Sequence, residues 1–250
     1  MVDKLYIKTA AWTAAVLALS FSCYLPTLLK NNGIRIPEAL IAAKYLFVIV
    51  PLAVSVIFLS GHGLKKWLRG LFSDRISMKP IFLCTVVGAI GLISSLTYSL
   101  FSNDKELFIR NYPNLLSVIT SGVYLFVTAL AEECAWRGFL LNELLDKKGA
   151  LPALIYTGIS WAVWHIPMWT IRNALDLKET AIYFVWTITV SLIIGVFFLS
   201  YKNVITAVLL HMLINMCYIA PVRYNVFPAA GIAAVTVFLF IRKRSVTGEK

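Results

Sequence analysis

The chain is poor in charged residues, and this shortage decides its class. Only 14% of its 250 residues are charged, whereas 60% are hydrophobic, and the mean hydropathy is +0.80. A soluble domain is about half apolar and about one quarter charged. The composition therefore excludes an ordinary soluble domain and predicts an integral membrane protein.

Cysteine and histidine are also scarce, with four and three residues. The cysteines lie in apolar runs and show neither CxxC nor zinc-finger spacing, which favours small apolar fillers over a disulfide framework. Cys134, beside Glu133, is the one candidate for a nucleophile, but no signature accompanies it. The zinc-binding helix pattern HExxH is absent.

The small number of acidic residues leaves a formal net charge of +11. Such a charge can indicate nucleic-acid binding, but no recognition motif accompanies it here, so we expect no nucleic-acid partner. Most lysines and arginines instead lie in short segments between apolar runs, where they orient a membrane protein. We expect the lipid bilayer as the surrounding partner; the sequence does not indicate an oligomeric state.

The apolar runs predict an all-α protein with about eight transmembrane helices, because a span needs about 20 apolar residues. Segments predicted inside hold twice as many lysines and arginines as those predicted outside. This bias places both termini of a multi-pass cell-membrane protein in the cytoplasm. The expected spans are about 5–29, 37–60, 80–101, 114–146, 150–170, 180–201, 204–219 and 226–241.

The predicted organisation has three parts. Residues 1–110 hold three spans, 111–220 the core, and 221–250 the last span with a basic tail. Within the basic loop 61–79, apolar residues recur at helical spacing, which predicts a short amphipathic helix lying on an anionic membrane surface. Pro167 is expected to bend or end the fifth helix.

A few strongly polar residues fall inside the predicted spans of the second half. These are Glu132, Glu133, Arg137, His165, His211 and Asn215. A charge at the bilayer centre costs roughly 2.5–3.5 kcal/mol on insertion scales, so such groups normally face a protein interior or a water-filled cavity. Two carboxylates, two imidazoles and a carboxamide suit hydrolysis, because they can accept a proton from water, orient it and stabilise an oxyanion.

The two glutamates are expected to differ in role. Glu133 and Arg137 are four residues apart in the favourable order for a helical ion pair. Glu132 points about 100° away and is left as the base. Each residue taken alone has a structural alternative: a buried ion pair for Glu133, and interhelical hydrogen bonding for His165, His211 or Asn215.

Three motifs in order, Glu132-Glu133-x-x-x-Arg137, Trp161-x-x-x-His165 and His211-x-x-x-Asn215, resemble those of the CPBP family. This family includes CAAX prenyl proteases of the Rce1 type and bacteriocin-processing or immunity-associated membrane proteins. The resemblance covers about residues 114–220, and tryptophan stands at position 161 where phenylalanine is common. It implies a CAAX-protease-like helical bundle with an intramembrane cavity.

The resemblance also implies roles. Glu132 is expected to activate water, with Glu133 and Arg137 in support, and His165 to hold the water. His211 and Asn215 are expected to stabilise the oxyanion, and Trp161 to line the site. The family is often described as metalloproteases, so two cofactor states stay open: none, or zinc bound by Glu132, His165 and His211.

The sequence therefore predicts an intramembrane endopeptidase that cleaves peptide or membrane-protein substrates near the C-terminus or a membrane-proximal region. Two alternatives remain. One is a catalytically silent scaffold, immunity factor or regulator of the same fold. The other is a proton-coupled transporter, because Glu and His chains in spans also serve that purpose.

Overall fold

The computed structural model describes residues 4–59, 62–72, 78–86, 89, 93 and 114–219. These residues are helical or lie in turns, and no strand occurs among them. The chain divides into two compact units, Met1–Leu71 with Ala131–Leu192, and Phe72–Leu130 with Ile193–Lys250. The all-helical prediction is confirmed for the described residues.

Helix α1, Lys4–Asn31, contains the first predicted span. Its buried side chains recur about every four residues and so form one face, since residues four apart share a side of a helix. This face consists of Thr9, Trp12, Thr13, Val16, Ser20, Tyr24 and Thr27. Leu19, Leu25 and Leu28 are exposed on the other side, as suits a helix in contact with lipid acyl chains.

The second predicted span is broken. It consists of α2, Glu38–Ile41, a 3₁₀ turn at Ala42–Tyr45, and α3, Val50–Phe58. The helix axis bends by 69° between the two helical parts, Glu38–Tyr45 and Val50–Phe58. Pro51 lies in the first turn of α3, where the missing N–H costs nothing and favours a new helix start.

Helix α4, His62–Leu71, is the amphipathic helix that the basic loop predicts. Leu71 is buried and Trp67 half-buried, whereas Lys65, Lys66 and Arg69 are exposed. Its position on a membrane surface stays a prediction.

Helix α5, Leu115–Ala135, begins where the sequence predicts. The Asn114 Oδ1 atom accepts a hydrogen bond from the Ser117 backbone N–H at 2.9 Å, as a helix N-cap does. After Ala135 the helix continues as a π turn, Trp136–Leu141, and then as α6, Asn142–Lys148. We call Trp136–Leu141 the first π turn.

Gly149 ends α6 with φ +73°. This left-handed conformation favours glycine, which suits Gly149 to the C-cap of α6. Helix α7, Ala150–Pro167, follows, and a second π turn, Met168–Arg172, continues it. The α-helical geometry thus ends at the proline that the sequence singles out.

Helix α8, Leu177–Tyr201, starts with a reciprocal cap between Asp176 and Glu179. The Glu179 N–H donates to Asp176 Oδ1 at 2.7 Å, and the Asp176 N–H donates to Glu179 Oε2 at 3.2 Å. Helix α9, Val204–Ile219, is the short seventh predicted span.

Among the described residues, three helices are long and apolar enough to cross a membrane: Ile7–Asn31, Leu115–Leu145 and Leu177–Tyr201. The bent pair Glu38–Tyr45 and Val50–Phe58 makes a fourth if it acts as one span. The prediction of eight spans is thus not confirmed as a number. Residues 226–241 and most of 80–101 lie outside the described ranges, and the three-part organisation stays a prediction.

Candidate active site

A buried ion pair lies at the C-terminal end of α5. Arg137 Nη1 donates to Glu133 Oε1 at 2.8 Å, and both side chains are fully buried. The predicted i, i+4 pair is therefore present. Burial makes each charge dependent on the other, because removing one partner leaves an uncompensated charge in a low-dielectric interior.

Arg137 also has an anchor on α8 within the same unit. Its Nη2 atom donates to the Ser191 carbonyl at 3.1 Å and to Ser191 Oγ at 3.0 Å. The planar guanidinium can make these bonds and the bond to Glu133 together, which the point charge of a lysine cannot. Arg137 therefore fixes the end of α5 against α8.

Glu132 has a different partner. Its side chain is 6% exposed, and Trp161 Nε1 donates to Glu132 Oε2 at 2.9 Å. A hydrogen bond to a carboxylate is charge-assisted and stronger than a neutral one. The two neighbouring glutamates are thus held by different helices, Glu133 through Arg137 and Glu132 through α7.

Trp161 joins the three motif residues that lie around it in this unit. Its indole N–H holds Glu132, and the Arg137 guanidinium carbon lies 4.8 Å from its ring centroid. Its backbone carbonyl accepts a hydrogen bond from His165 Nδ1 at 2.8 Å. A cation over an indole face is attracted by the negative ring centre, so one residue contacts Glu132, Arg137 and His165.

Tryptophan rings surround the His165 imidazole on several sides. Trp161 and Trp164 meet it edge-on, with centroids 4.9 and 4.7 Å away, and Trp169 stacks on it at 5.4 Å. Because a backbone carbonyl can only accept, Nδ1 carries the proton that it donates to Trp161. In the neutral ring the lone pair is then on Nε2, which can accept a proton or a hydrogen bond.

Both helices that carry these residues change to π geometry directly after them. The first π turn begins three residues after Glu133, and the second begins three residues after His165. Single π turns within α-helices are rare and occur often at functional sites. Within the first one, the Gly138 carbonyl accepts hydrogen bonds from Trp67 Nε1 at 2.9 Å and from Asn142 Nδ2 at 3.1 Å.

His211 and Asn215 belong to the second unit. Both lie on α9 four residues apart, so they share a face, and His211 is 2% exposed while Asn215 is partly exposed. Their predicted part in oxyanion stabilisation stays a prediction. So does the predicted intramembrane cavity.

The zinc alternative gains no support from the donor arrangement. Throughout the ranges that the structure describes, no three His, Cys, Asp or Glu side chains are grouped so that they could hold a metal ion. A protein zinc site normally takes at least three such ligands. Zinc binding therefore stays a prediction.

Sequence reasoning missed two features of this site. Ser191 anchors Arg137, but a serine within a long apolar helix gives no signal of its own. The hydrogen bond from Trp161 to Glu132 also escaped, because chain spacing predicts which residues share a face and not where a side chain on another helix points. The tryptophan at position 161 was the available clue, since phenylalanine has no N–H to donate.

Comparison with known proteins agrees with these motifs. Residues 114–217 match the family described as type II CAAX prenyl endopeptidase Rce1-like. This range runs from the start of α5 to near the end of α9 and contains each of the candidate site residues.

A curated relative, CAAX prenyl protease 2 of Methanococcus maripaludis, is 27% identical over 100 residues. The alignment covers 37% of this chain and 37% of the relative, so little more than one third of either protein is compared. The match thus concerns a domain rather than the two whole proteins. Residues 114–217, less than half of this chain, are thus similar to the family described as type II CAAX prenyl endopeptidase Rce1-like.

Proposed function

We propose that the protein is an intramembrane endopeptidase in which Glu132 activates water. Its substrates are peptides or membrane proteins cut near the C-terminus or a membrane-proximal region. The arrangement of Glu132 carries this proposal, because it is a buried carboxylate that the Trp161 indole N–H orients beside His165, and a carboxylate can accept a proton from water.

The chemistry follows from the residues of the first unit. Glu132 takes a proton from water while the water oxygen attacks the scissile carbonyl carbon. The tetrahedral intermediate then expels the amine, which receives a proton, and a carboxylic acid forms at the other product. His165 supports this step by holding the water, and the hydrogen bond from its Nδ1 to the Trp161 carbonyl orients the imidazole.

The ion pair Glu133–Arg137 supports the base rather than the substrate. Arg137 neutralises the charge of Glu133. Glu132, the proposed base, therefore has no unpaired carboxylate at the next position in the chain. It also packs on the ring of the same tryptophan that holds Glu132. For His211 and Asn215 the family resemblance implies oxyanion stabilisation, which completes the proposal.

The first experiment identifies substrates and tests activity together. Purified wild type and Glu132→Ala, each reconstituted in liposomes, are incubated with a membrane proteome, and new peptide termini are mapped by mass spectrometry. We expect new termini with the wild type and none with Glu132→Ala, in both the presence and the absence of a chelator.

The alternatives predict other results. A catalytically silent scaffold yields no new termini with either protein, and equal cleavage by both proteins would rule out Glu132 as the base. If a chelator abolishes cleavage and added zinc restores it, the metal-free mechanism is wrong and zinc takes part. The melting temperature of Glu132→Ala is measured in parallel, so that loss of activity is not confused with loss of fold.

A further inference from the structure

Helix α4 has one side that docks next to the candidate active site. Trp67 Nε1 donates to the Gly138 carbonyl at 2.9 Å, and Leu71 is 2% exposed. A Cβ atom on Gly138 would overlap the end of the Leu71 side chain, so a larger residue at this position would force Leu71 to move. Gly138 directly follows Arg137. Helix α4 therefore packs on the part of the first π turn that carries the arginine of the ion pair.

The opposite side of α4 carries three cations without acids. Lys65, Lys66 and Arg69 are exposed, and the sequence His62–Leu71 contains no acidic residue. In a soluble protein such a side would normally be a solvated surface. The apolar residues beside it argue against that alternative.

Two large apolar side chains are exposed between the docked side and the cations. Leu68 is 46% exposed and Phe72 is 48% exposed. Leu68 lies in α4, and Phe72 directly follows the last residue of this helix. Apolar residues flanked by lysine and arginine are typical of a helix that lies in the interface of an anionic membrane.

We propose that α4 binds the anionic headgroups of the bilayer that holds the protein and thereby steadies the first π turn. Leu68 and Phe72 enter the acyl boundary, Lys65, Lys66 and Arg69 contact the headgroups, and Trp67 and Leu71 hold the turn. The charge of the lipid thus regulates the proposed hydrolysis. The regulatory part rests on the proposed function, whereas lipid binding does not.

The experiment compares the full-length protein in phosphatidylcholine vesicles with vesicles that also contain phosphatidylglycerol. Hydrogen–deuterium exchange of residues 62–71 reports binding without needing activity, and peptide cleavage reports regulation. The test variant is Lys65→Gln/Lys66→Gln/Arg69→Gln. Its control, Arg35→Gln/Arg172→Gln/Lys178→Gln, removes three exposed cations elsewhere.

With phosphatidylglycerol we expect slower exchange in 62–71 and faster cleavage for the wild type and the control. The test variant should lose both responses, with lipid affinity falling about fivefold for each cation removed. High salt should weaken the response, because exposed charges are screened.

Three results would overturn the proposal. Exchange that is the same in both kinds of vesicle would exclude headgroup binding. Exchange that responds while cleavage does not would exclude the coupling to the π turn. Protection by soluble polyglutamate but not by anionic vesicles would indicate an acidic protein partner. If no cleavage occurs in any vesicle, the proposed function fails, and the exchange result still decides lipid binding.

Discussion

At the scale of single residues, Trp161 organises the candidate site. One side chain and one carbonyl hold Glu132, Arg137 and His165. A phenylalanine at this position could not donate a hydrogen bond to Glu132, because its ring has no N–H. The residue is therefore expected to act through Glu132 and to be a positioning residue.

Trp161→Phe removes that N–H and keeps an aromatic ring. A hydrogen bond to a charged group is worth about 1.5–3 kcal/mol, so we expect the cleavage rate to fall about 10- to 100-fold with little change in KM. Steady-state kinetics in liposomes measures this.

Trp12→Phe is the matched control, because Trp12 is fully buried and its Nε1 donates to Ser55 Oγ at 3.1 Å. It should lose comparable stability but keep activity. An equal loss of activity in both variants would show that Trp161 contributes by packing and not by positioning Glu132.

The buried ion pair gives a second prediction at this scale. Arg137→Met should lower the free energy of unfolding by about 3–5 kcal/mol, because Glu133 keeps its charge without its partner. The double variant Glu133→Leu/Arg137→Met should be more stable than Arg137→Met alone. Thermal unfolding in detergent compares these two variants with the wild type, and a double variant that is less stable than Arg137→Met would contradict this account.

At the scale of elements, the two π turns shape the site. The length of the apolar runs predicted α5 and α7, and the polar residues on them were found because a charge in an apolar run stands out. It could not predict the π turns, since one extra residue per turn changes the periodicity less than the natural scatter of apolar positions. The bend between α2 and α3 was missed for a similar reason, although Pro51 marks the new helix start.

The contact between α4 and the first π turn is tested by Gly138→Ala. The added methyl group must displace the buried Leu71 side chain, and overpacking of this kind costs about 1–3 kcal/mol. We expect a lower melting temperature and lower activity, with partial recovery in Gly138→Ala/Leu71→Ala.

Gly122→Ala is the control, because nothing lies within 4 Å of a Cβ at that position. Gly122 lies within α5, where alanine is the better helix former, so this variant should be as stable as the wild type or more stable. Equal destabilisation in both variants would remove the steric argument.

At the scale of the whole molecule, composition alone predicted a helical membrane protein, and three ordered motifs predicted the family that residues 114–217 match. The number of spans was harder to obtain. Helix α7 is 18 residues long but is not among the three helices apolar enough to count as spans. Its tryptophans, histidine and prolines lower its hydropathy, and these include the residues that the site uses. The residues that form the candidate site thus make this helix harder to recognise as a membrane span.

The role implied for the second unit is tested by Asn215→Ala. Loss of an oxyanion donor costs about 10²–10³ in rate, so we expect that decrease in kcat with an unchanged melting temperature. Asn32→Ala, at an exposed position near the end of α1, should leave the rate unchanged. A decrease of less than tenfold for Asn215→Ala would argue against the oxyanion role.

The most direct measurement is the rate at which Glu132→Gln, in liposomes, cleaves a peptide that the wild type cleaves. Glutamine keeps the size of the side chain and an oxygen for the Trp161 N–H but cannot take a proton from water. Glu143→Gln is the control, since Glu143 pairs with Lys8 at 2.9 Å in a partly exposed ion pair. We predict no detectable cleavage by Glu132→Gln and near wild-type cleavage by Glu143→Gln. Wild-type cleavage by Glu132→Gln would contradict the assignment of Glu132 as the base.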